Sequence, residues 1–412
     1  METGQRKVGF VEKQLAEFSE SPYEIRQYEV TDYREVRNLR EKSRGGKLPA
    51  GAAMIASEAL IRLKVLTKVS SEYGRYSSYY TNFSSFGPKD NIEVKMFAPR
   101  PGWLPRSIGK LYSLALDAGP RDRSAACAEL QFRAAVALDG GSLGHIANIE
   151  DHLRLMNGLR SPKRRWIATM HFPPVQWRGD NAKALRHFAH AITLCQRDAD
   201  YLAQWMPRER ISCILHGVDT TFFSPGEGAR SASPRIIFVG KWLRDFETAG
   251  IVLKQALEKW PALTADIVVA RKWAEKTQLG DLSGHPRIRW HENVDDEKLL
   301  QLYREAWILF LPLLETSANN ALVEAMACGT TPVVNLVGGV PDYGGGSVFP
   351  TTQGNRPEDY LAMIGNYLDQ PSQLTSLGAA CRKFTIDYLS WDLVRDEHRR
   401  VYETVANGIK SA

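Results

Sequence analysis

Acids, amides and glycines are concentrated in one short segment, ETSANNALVEAMACGTTPVVNLVGG, at residues 315–339. Glu315 and Glu324 bracket a polar run, and a stretch of small residues typical of a helix ends at Gly329. A carboxylate accepts hydrogen bonds from a pair of hydroxyl groups, and the N–H groups of a helix N-terminus attract anions. Glycine allows a backbone to pass close to a ligand. We therefore predict a binding site for a polar ligand where this segment reaches a sheet edge.

The elements that position this segment are predicted from alternating patterns. Short apolar runs alternate with amphipathic stretches on both sides of TTFFSPGEGARSASPR (220–235), whose Gly, Ser and Pro content indicates a linker. The last run of the second series, GGSVFP at residues 345–350, is expected to be a strand. Such alternation favours parallel sheets covered on both faces. The predicted fold class is α/β, with two Rossmann-like doubly wound domains at residues 61–225 and 234–385. Since ligands bind beyond the carboxyl ends of such strands, the site is expected in the cleft between the domains.

The bulk composition argues against several other classes of protein. A chain of 412 residues is too long for one ordinary core, and 43% hydrophobic with 24% charged residues is typical of a globular protein. No apolar run reaches the roughly 18 residues of a membrane-spanning helix, and no signal peptide is expected at the N-terminus. The five cysteines are scattered without a CxxC pair, which favours reduced thiols and predicts no metal site. We expect a cytoplasmic protein.

The densest basic cluster is LRSPKRRW, at residues 159–166. We interpret it as a solvated loop before a strand. The alternative is a contact with anionic lipid head groups at the inner membrane face, or with an anionic acceptor. The net charge is only +6 and no recognised nucleic-acid module accompanies the cluster, so no nucleic-acid partner is expected.

The C-terminal half resembles a known family. The segments LHGVDTTFFSP, IIFVGKW, ENVDDEKLLQLYREAWILFLPLLE and EAMACGTTPVVNLVGGVPD are similar to the second half of retaining glycosyltransferases of family four, which have the two-domain GT-B fold. The resemblance is strong over residues 211–405 and weaker over 62–210, where GHIANIEDHL and ATMHFPP carry it. Residues 1–60 match no family segment and form an extension of unclear structure. The resemblance implies that residues 386–412 form a helix that crosses back to the first domain.

The resemblance implies a nucleotide sugar donor, and the residues suit one. Lys241 and Arg244 follow the run IIFVG, where they can stabilise negative charge on a leaving diphosphate; the alternative is a pair of surface cations at a strand end. Glu324 matches the family acid that binds the ribose hydroxyls, against the alternative of a helix-surface glutamate. The resemblance assigns residues 61–225 to the acceptor and 234–385 to the donor.

The first acid of the family motif is displaced in this chain. The family places it eight positions before the second acid, where this chain has Thr316, whereas Glu315 lies nine positions before Glu324. Either the loop carries one extra residue and Glu315 acts at the donor sugar, or Thr316 and Ser317 take over part of its contacts. Further donor contacts are predicted from the amides Asn319 and Asn320, either of which could instead cap the helix, and from the Gly338–Gly339 turn, which could be merely structural.

Candidates on the N-terminal side come from strand ends. His171, in TMHFPP, is a catalytic candidate that could hydrogen-bond donor hydroxyls or phosphate, against a structural role. His145 and Glu150, in GHIANIED, are candidates for the acceptor side. Three residues after the first strand, in SSEYGRYSS, are further acceptor-side candidates: Tyr73, Gly74 and Arg75. His216 is interpreted as a packed hinge residue.

Asp198 and Asp200 form an Asp-x-Asp pair of the kind that holds a divalent metal in other glycosyltransferases. Here the pair opens a helix, where acids interact favourably with the helix dipole. We therefore expect no metal and no cofactor, with Lys241 and Arg244 neutralising the diphosphate.

The predicted function is transfer of a hexose, with retention, from a nucleotide diphosphate sugar to a glycan, lipid-linked or small-molecule acceptor. A nucleotide-sugar epimerase on the same fold is one alternative, and it would act without an acceptor. A phosphorylase is less favoured because no cofactor-lysine signature is found. The alternative from another class is a catalytically silent GT-B binding protein, which the displaced acid allows.

Overall fold

A computed structural model describes residues 60–67, 83, 86, 90–100, 103–115, 123–152, 163–177, 183–228 and 230–410. The strands are β1 (Ile61–Leu66), β2 (Ile92–Phe97), β3 (Leu143–Ile146), β4 (Lys163–Met170), β5 (Phe188–Thr193), β6 (Ile211–Cys213), β7 (Arg235–Val239), β8 (Thr264–Val268), β9 (Ile288–His291), β10 (Ile308–Leu311) and β11 (Thr331–Val334). The α-helices are α1 (Trp103–Ala115), α2 (Arg123–Leu138), α3 (Gln196–Leu202), α4 (Phe246–Lys259), α5 (Asp296–Glu305), α6 (Asn320–Ala327), α7 (Pro357–Asp369), α8 (Pro371–Tyr388) and α9 (Trp391–Lys410).

The strands form two parallel sheets. The first has the order β2-β1-β3-β4-β5-β6 and the second β11-β10-β7-β8-β9. Most strands are buried on both faces by apolar side chains and appear in the sequence as continuous apolar runs, whereas the edge strand β2 has exposed residues between its buried ends. The predicted α/β fold class with two Rossmann-like sheets is confirmed.

Two local predictions were wrong. The run GGSVFP was expected to be a strand, but Gly344 and Gly346 have φ of 95° and 79°, and only an isolated bridge joins Gly345 to Phe349. The basic cluster was expected in a loop, but residues 163–166 belong to β4, and Trp166 packs against the rings of Phe132 and Phe188. Residues 159–162 of the cluster lie outside the described residues.

The C-terminal helix α9 packs on the first sheet. Val394, Val401, Tyr402 and Val405 lie in the same buried cluster as the apolar side chains of β1, β3, β4 and β5. The chain returns to the first domain at Trp391, whose ring centre lies 5.3 Å from that of His216. The neighbouring residue Ser390 forms a backbone bridge with Val218. The last helix therefore completes the core of the domain that is formed earlier in the chain.

Each sheet has one position where the chain reverses its direction of winding. In the first sheet, β1 is followed by β2 on one side and by β3 on the other, so the reversal lies between β1 and β3. In the second sheet it lies between β7 and β10. The crevice at the carboxyl ends of such a pair is where doubly wound sheets bind ligands.

Candidate functional site

The loop after β7 brings two cations to the reversal point of the second sheet. Arg244 is 8% exposed and donates to the carbonyls of Val239 (3.1 Å) and Trp242 (2.9 Å). Its backbone forms a bridge with Leu313, just after β10. Lys241 is half-buried, and its ammonium lies 4.4 Å from the centre of the Trp273 ring. Arg244 thus stabilises the conformation of the loop and also gives it a positive charge, whereas Lys241 lies against the face of an aromatic ring.

The helix α6 begins beside this loop. The side-chain Oδ1 of Asn319 accepts from the backbone N–H of Leu322 at 3.2 Å and from the Arg244 guanidinium at 3.2 Å. Asn319 is therefore the helix cap, as the alternative interpretation of its sequence position held. The same amide also ties the cationic loop to the helix N-terminus, so the positive charge and the helix dipole reinforce each other. Asn320 is the first residue of the helix.

Glu324 lies inside the domain, one turn into α6. It is 3% exposed and accepts a hydrogen bond of 2.9 Å from the Tyr303 hydroxyl, so it is not an ordinary helix-surface glutamate. Burial raises the pKa of Tyr303 well above its usual value; Glu324 raises it further and the positive charge of Arg244 opposes this. Glu324 and Arg244 therefore shift the pKa of the same buried hydroxyl, that of Tyr303, in opposite directions at the β7–β10 junction.

The Gly338–Gly339 turn packs against the loop that carries Glu315. A Cβ atom at Gly338 would lie 2.0 Å from the Thr316 carbonyl oxygen, and one at Gly339 would lie 2.0 Å from that of Ser317. The Gly339 N–H donates to Thr316 at 2.8 Å. Glycine is required here because two backbones touch, and this gives the turn the structural role that was its alternative.

Glu315 joins the two halves of the chain. Its Oε1 accepts from the Arg197 guanidinium at 2.7 Å and from the backbone N–H of Thr316 at 2.7 Å. Arg197, at the start of α3 in the N-terminal half, also contacts Asp198 at 3.1 Å. Burial raises the pKa of Asp198 to about 6, although Arg197 acts in the opposite direction. The Thr316 hydroxyl donates to the Ala318 carbonyl at 2.9 Å, so it is engaged within its own loop.

A second contact between the halves adjoins this one. Asp342 accepts the backbone N–H of Gln196, the first residue of α3, at 2.9 Å. The Tyr343 hydroxyl donates to the Leu194 carbonyl at 2.9 Å and accepts from the His216 N–H at 2.8 Å. The short helix α3 is thus capped by an acid from the other half of the chain.

On the N-terminal side, Glu150 holds the turn after β4. Its Oε1 accepts the backbone N–H groups of His171 and Phe172, and the Phe172 ring lies 5.1 Å from that of Trp242 in the opposite half. The buried Oε2 makes no hydrogen bond within the described part of the chain. Burial raises the Glu150 pKa to about 8, against the opposing effect of the two N–H donors. Glu150 is therefore largely protonated at neutral pH.

His171 is neutral for the same physical reason. Burial lowers its pKa to about 3, and its Nε2 lies 2.7 Å from the Ala147 carbonyl. Because a carbonyl only accepts, Nε2 carries the proton and Nδ1 has the acceptor lone pair. Glu150 and His171, which follow β3 and β4 of the first sheet, are thus both largely uncharged at neutral pH.

Two other histidines belong to the core. His145 was expected on the acceptor side, but it is fully buried, with Nδ1 2.8 Å from the Tyr402 hydroxyl and Nε2 2.8 Å from the Thr169 hydroxyl. The structure therefore assigns His145 to anchoring α9. His216 is 5% exposed and packed against Trp391, in keeping with its interpretation as a packed residue.

The remaining candidates divide into two groups. Tyr73, Gly74 and Arg75 lie outside the described residues. Asp198 and Asp200 open α3, where Asp200 accepts from Gln196 at 2.7 Å and Asp198 is held by Arg197. In the described ranges no cluster of three His, Cys, Asp or Glu side chains has the arrangement of a metal site.

Sequence reasoning missed the groups that join the halves. Arg197, Trp242 and Phe172 all follow the carboxyl ends of strands, at β5, β7 and β4. The same strand-end rule that selected Lys241 and His171 would have selected them too. Asp342, in a turn after β11, follows the Gly-Gly pair and carried no separate signal.

A comparison with protein families shows which known family the region of the second sheet resembles. Residues 233–370 match the family described as Glycosyl transferases group 1. The match covers 138 of the 412 residues of the chain. The predicted resemblance is thereby confirmed for the part of the chain that holds β7, β10 and α6. No described helix has the length and apolar character needed to cross a membrane.

Curated relatives of this chain are also glycosyltransferases. D-inositol 3-phosphate glycosyltransferase from Streptomyces griseus is 32% identical over 119 residues, covering 28% of this chain and 24% of that protein. MMP alpha-(1->4)-mannosyltransferase from Mycolicibacterium hassiacum is 26% identical over 203 residues, covering 47% and 48%. The chain thus aligns with less than half the length of these two relatives.

Solved structures extend the likeness to both sheets. Sucrose-phosphate synthase from Thermosynechococcus elongatus has a TM-score of 0.63 at 16% identity, covering 84% of this chain and 100% of that one. The Anabaena protein Alr3699/HepE, solved in complex with UDP-glucose, has a TM-score of 0.58 at 13% identity, covering 85% and 100%. The two sheets therefore form a GT-B fold, and residues 233–370 lie in its second half.

Proposed function

We propose that the protein transfers a hexose from a nucleotide diphosphate sugar to an acceptor hydroxyl, with retention of anomeric configuration. The observation that carries the proposal is the β7–β10 junction. Lys241 and Arg244 stand there with the buried acid Glu324, at the position where doubly wound sheets bind ligands. The group 1 match covers these residues, and a structural relative solved with UDP-glucose supports a nucleotide sugar as the donor class.

The donor contacts follow from the charges at the junction. Lys241 and Arg244 stabilise the diphosphate as negative charge develops on it, and they do so without a metal or another cofactor. Glu324 accepts hydrogen bonds from the ribose diol. Glu315, with Ser317 and the first N–H groups of α6 near Asn320, is assigned to the hexose. Arg197 orients the Glu315 carboxylate from the opposite half.

The acceptor contacts follow from two uncharged groups at the turn after β4, His171 and Glu150. Neutral His171 offers an acceptor at Nδ1, and protonated Glu150 sits behind the same turn. Such groups suit a hydroxyl nucleophile of a glycan, a lipid-linked sugar or a small molecule. The ring pair Phe172–Trp242 spans the halves at this point, where exclusion of water would favour transfer over hydrolysis.

A two-step experiment tests this proposal. Calorimetry with a panel of nucleoside diphosphates and nucleotide sugars should find one nucleotide that binds. The matching sugar nucleotide should then be hydrolysed slowly without an acceptor, and NMR of the first-formed sugar should show the anomer of the donor. Binding of no nucleotide would indicate a silent scaffold, and accumulation of an epimeric sugar would indicate an epimerase; either result contradicts the proposal.

A further inference from the structure

The helix α1 exposes large apolar side chains on the outside of the first domain. Trp103 is 78% exposed, Leu111 is 69% exposed and Leu104 is 52% exposed. A single exposed leucine is ordinary on a protein surface, but an exposed tryptophan with two leucines on one helix forms a patch. No function described so far uses this surface.

Helical geometry gathers these residues into one stripe. Trp103, Ser107 and Leu111 follow one another at four-residue intervals, and residues spaced in this way stack on one side of a helix. The opposite side is held by α2. A Cβ atom at Gly109 would overlap the Arg123 backbone, and the Tyr112 hydroxyl donates to Glu129 at 3.2 Å. The helix is therefore amphipathic with its apolar stripe turned outward.

Basic side chains border the stripe on one side. Arg106 and Lys110 are both exposed and lie one helical turn apart. Arg100 is also exposed, three residues before the helix. The helix sequence WLPRSIGKLYSLA contains no acid. Tryptophan and leucine beside lysine and arginine are the combination that lies in the interface plane of a bilayer, with the apolar side entering the acyl boundary.

We propose that α1 docks the protein on an anionic lipid surface. The positive charge beside the stripe favours this partner. The apolar side chains of the stripe would insert into the bilayer, and Arg106 and Lys110 would pair with acidic head groups. The helix starts six positions after the last residue of β2, so its first turn follows the carboxyl end of that strand closely. The basic residues 163–166, which lie within β4, are not needed for this contact. The inference goes beyond the proposed transfer reaction and does not depend on it.

Co-sedimentation of the full chain with lipid vesicles tests the inference. The chain should bind vesicles that contain phosphatidylserine more strongly than vesicles of phosphatidylcholine alone, and added salt should weaken the binding. The double substitution Trp103→Ser with Leu111→Ser should lower the partition coefficient by at least about tenfold. Arg106→Gln with Lys110→Gln should lower it by about fivefold per residue on anionic vesicles. Leu138→Ser is the matched control, since this exposed leucine lies at the end of α2, and it should change nothing.

Three results would overturn the inference: no binding by the parent chain, equal binding by all variants, or a change of oligomeric state in the Trp103→Ser, Leu111→Ser protein. The last result, from sedimentation velocity, would identify a second copy of the chain as the occupant of the stripe. Nucleoside diphosphate affinity, measured in parallel, should be the same in every variant. That measurement reports on the proposed transfer reaction and separates its failure from failure of the docking surface.

Discussion

The carboxyl edges of the two sheets differ in charge although they are built alike. Both are reversal points of a doubly wound parallel sheet. The edge of the second sheet carries Lys241 and Arg244, whereas the turns after β3 and β4 of the first carry a histidine and a carboxyl group that burial keeps neutral. Under the proposed function, the charged edge suits a diphosphate and the neutral turns suit an acceptor hydroxyl. The difference shows that the charge at each sheet edge is determined by a few residues at the strand ends and by the burial of their side chains.

Glu315 is where the two edges meet, and its substitution should have the largest effect. Glu315→Gln should lower turnover by about a hundredfold, since a pre-organised contact at a reacting sugar is worth on the order of 3 kcal/mol in the transition state. Nucleoside diphosphate affinity, measured by calorimetry, should barely change because the nucleotide is held by Lys241, Arg244 and Glu324.

Two controls separate the possible roles of Glu315. Thr316→Val should leave turnover intact, because the Thr316 hydroxyl is engaged by the Ala318 carbonyl; if it abolishes turnover while Glu315→Gln does not, Thr316 has taken over the site. Arg197→Gln breaks the ion pair but keeps the Glu315 carboxylate. A loss as large as that of Glu315→Gln would mean that Glu315 serves the bridge between the halves and not the sugar.

Lys241 tests the charged edge by itself. Lys241→Ala should weaken nucleoside diphosphate binding by about 1.5–3 kcal/mol, the usual value of a hydrogen bond to a charged group. Lys272→Ala is the matched control, because the Lys272 ammonium also lies over the Trp273 ring, at 5.7 Å. Equal calorimetric affinities of the two variants would contradict the assignment. Arg244→Ala is a weaker test, since it also removes the brace between the β7 loop and Asn319.

Glu150 tests the uncharged groups through the pH dependence of stability, and no large effect on turnover is needed for this test. Its pKa is about 8 in the folded protein, so between the ordinary carboxyl value and pH 8 the folded state holds a proton that the unfolded state has lost. The free energy of unfolding should therefore fall as pH rises through this window, by at most about 1.4 kcal/mol per pH unit for one proton.

The Glu150→Gln protein cannot ionise at this position and should lack that slope. Urea unfolding of both proteins from pH 6 to pH 8 measures the difference, and any constant cost of the amide cancels when slopes are compared. Parallel curves for the two proteins would show that Glu150 is ionised across the range. The first edge would then carry a negative charge, and the contrast between the edges would need revision.

The sequence was sufficient for the fold because the deciding signals are local. Apolar runs such as IIFVG and ILFL predicted buried parallel strands, and the turn residues between 220 and 235 predicted the break between the two series. The exception GGSVFP shows the limit of that signal, since glycines that adopt positive φ interrupt an extended strand regardless of the apolar residues beside them. Strand-end position also selected Lys241 and His171 correctly as residues at the carboxyl edges.

What the sequence alone determined is therefore the two wound sheets and the chemical types at their edges. Only the tertiary structure decided which candidates are available for chemistry. In the folded chain His145 is buried beneath α9 and Asn319 caps α6. Gly338 and Gly339 lie where two backbone segments are in contact. The tertiary structure also joined Glu315 to Arg197, 118 positions earlier in the chain. Periodicity and turn propensity act over a few neighbouring residues, whereas desolvation and ion pairing depend on which distant surfaces pack together.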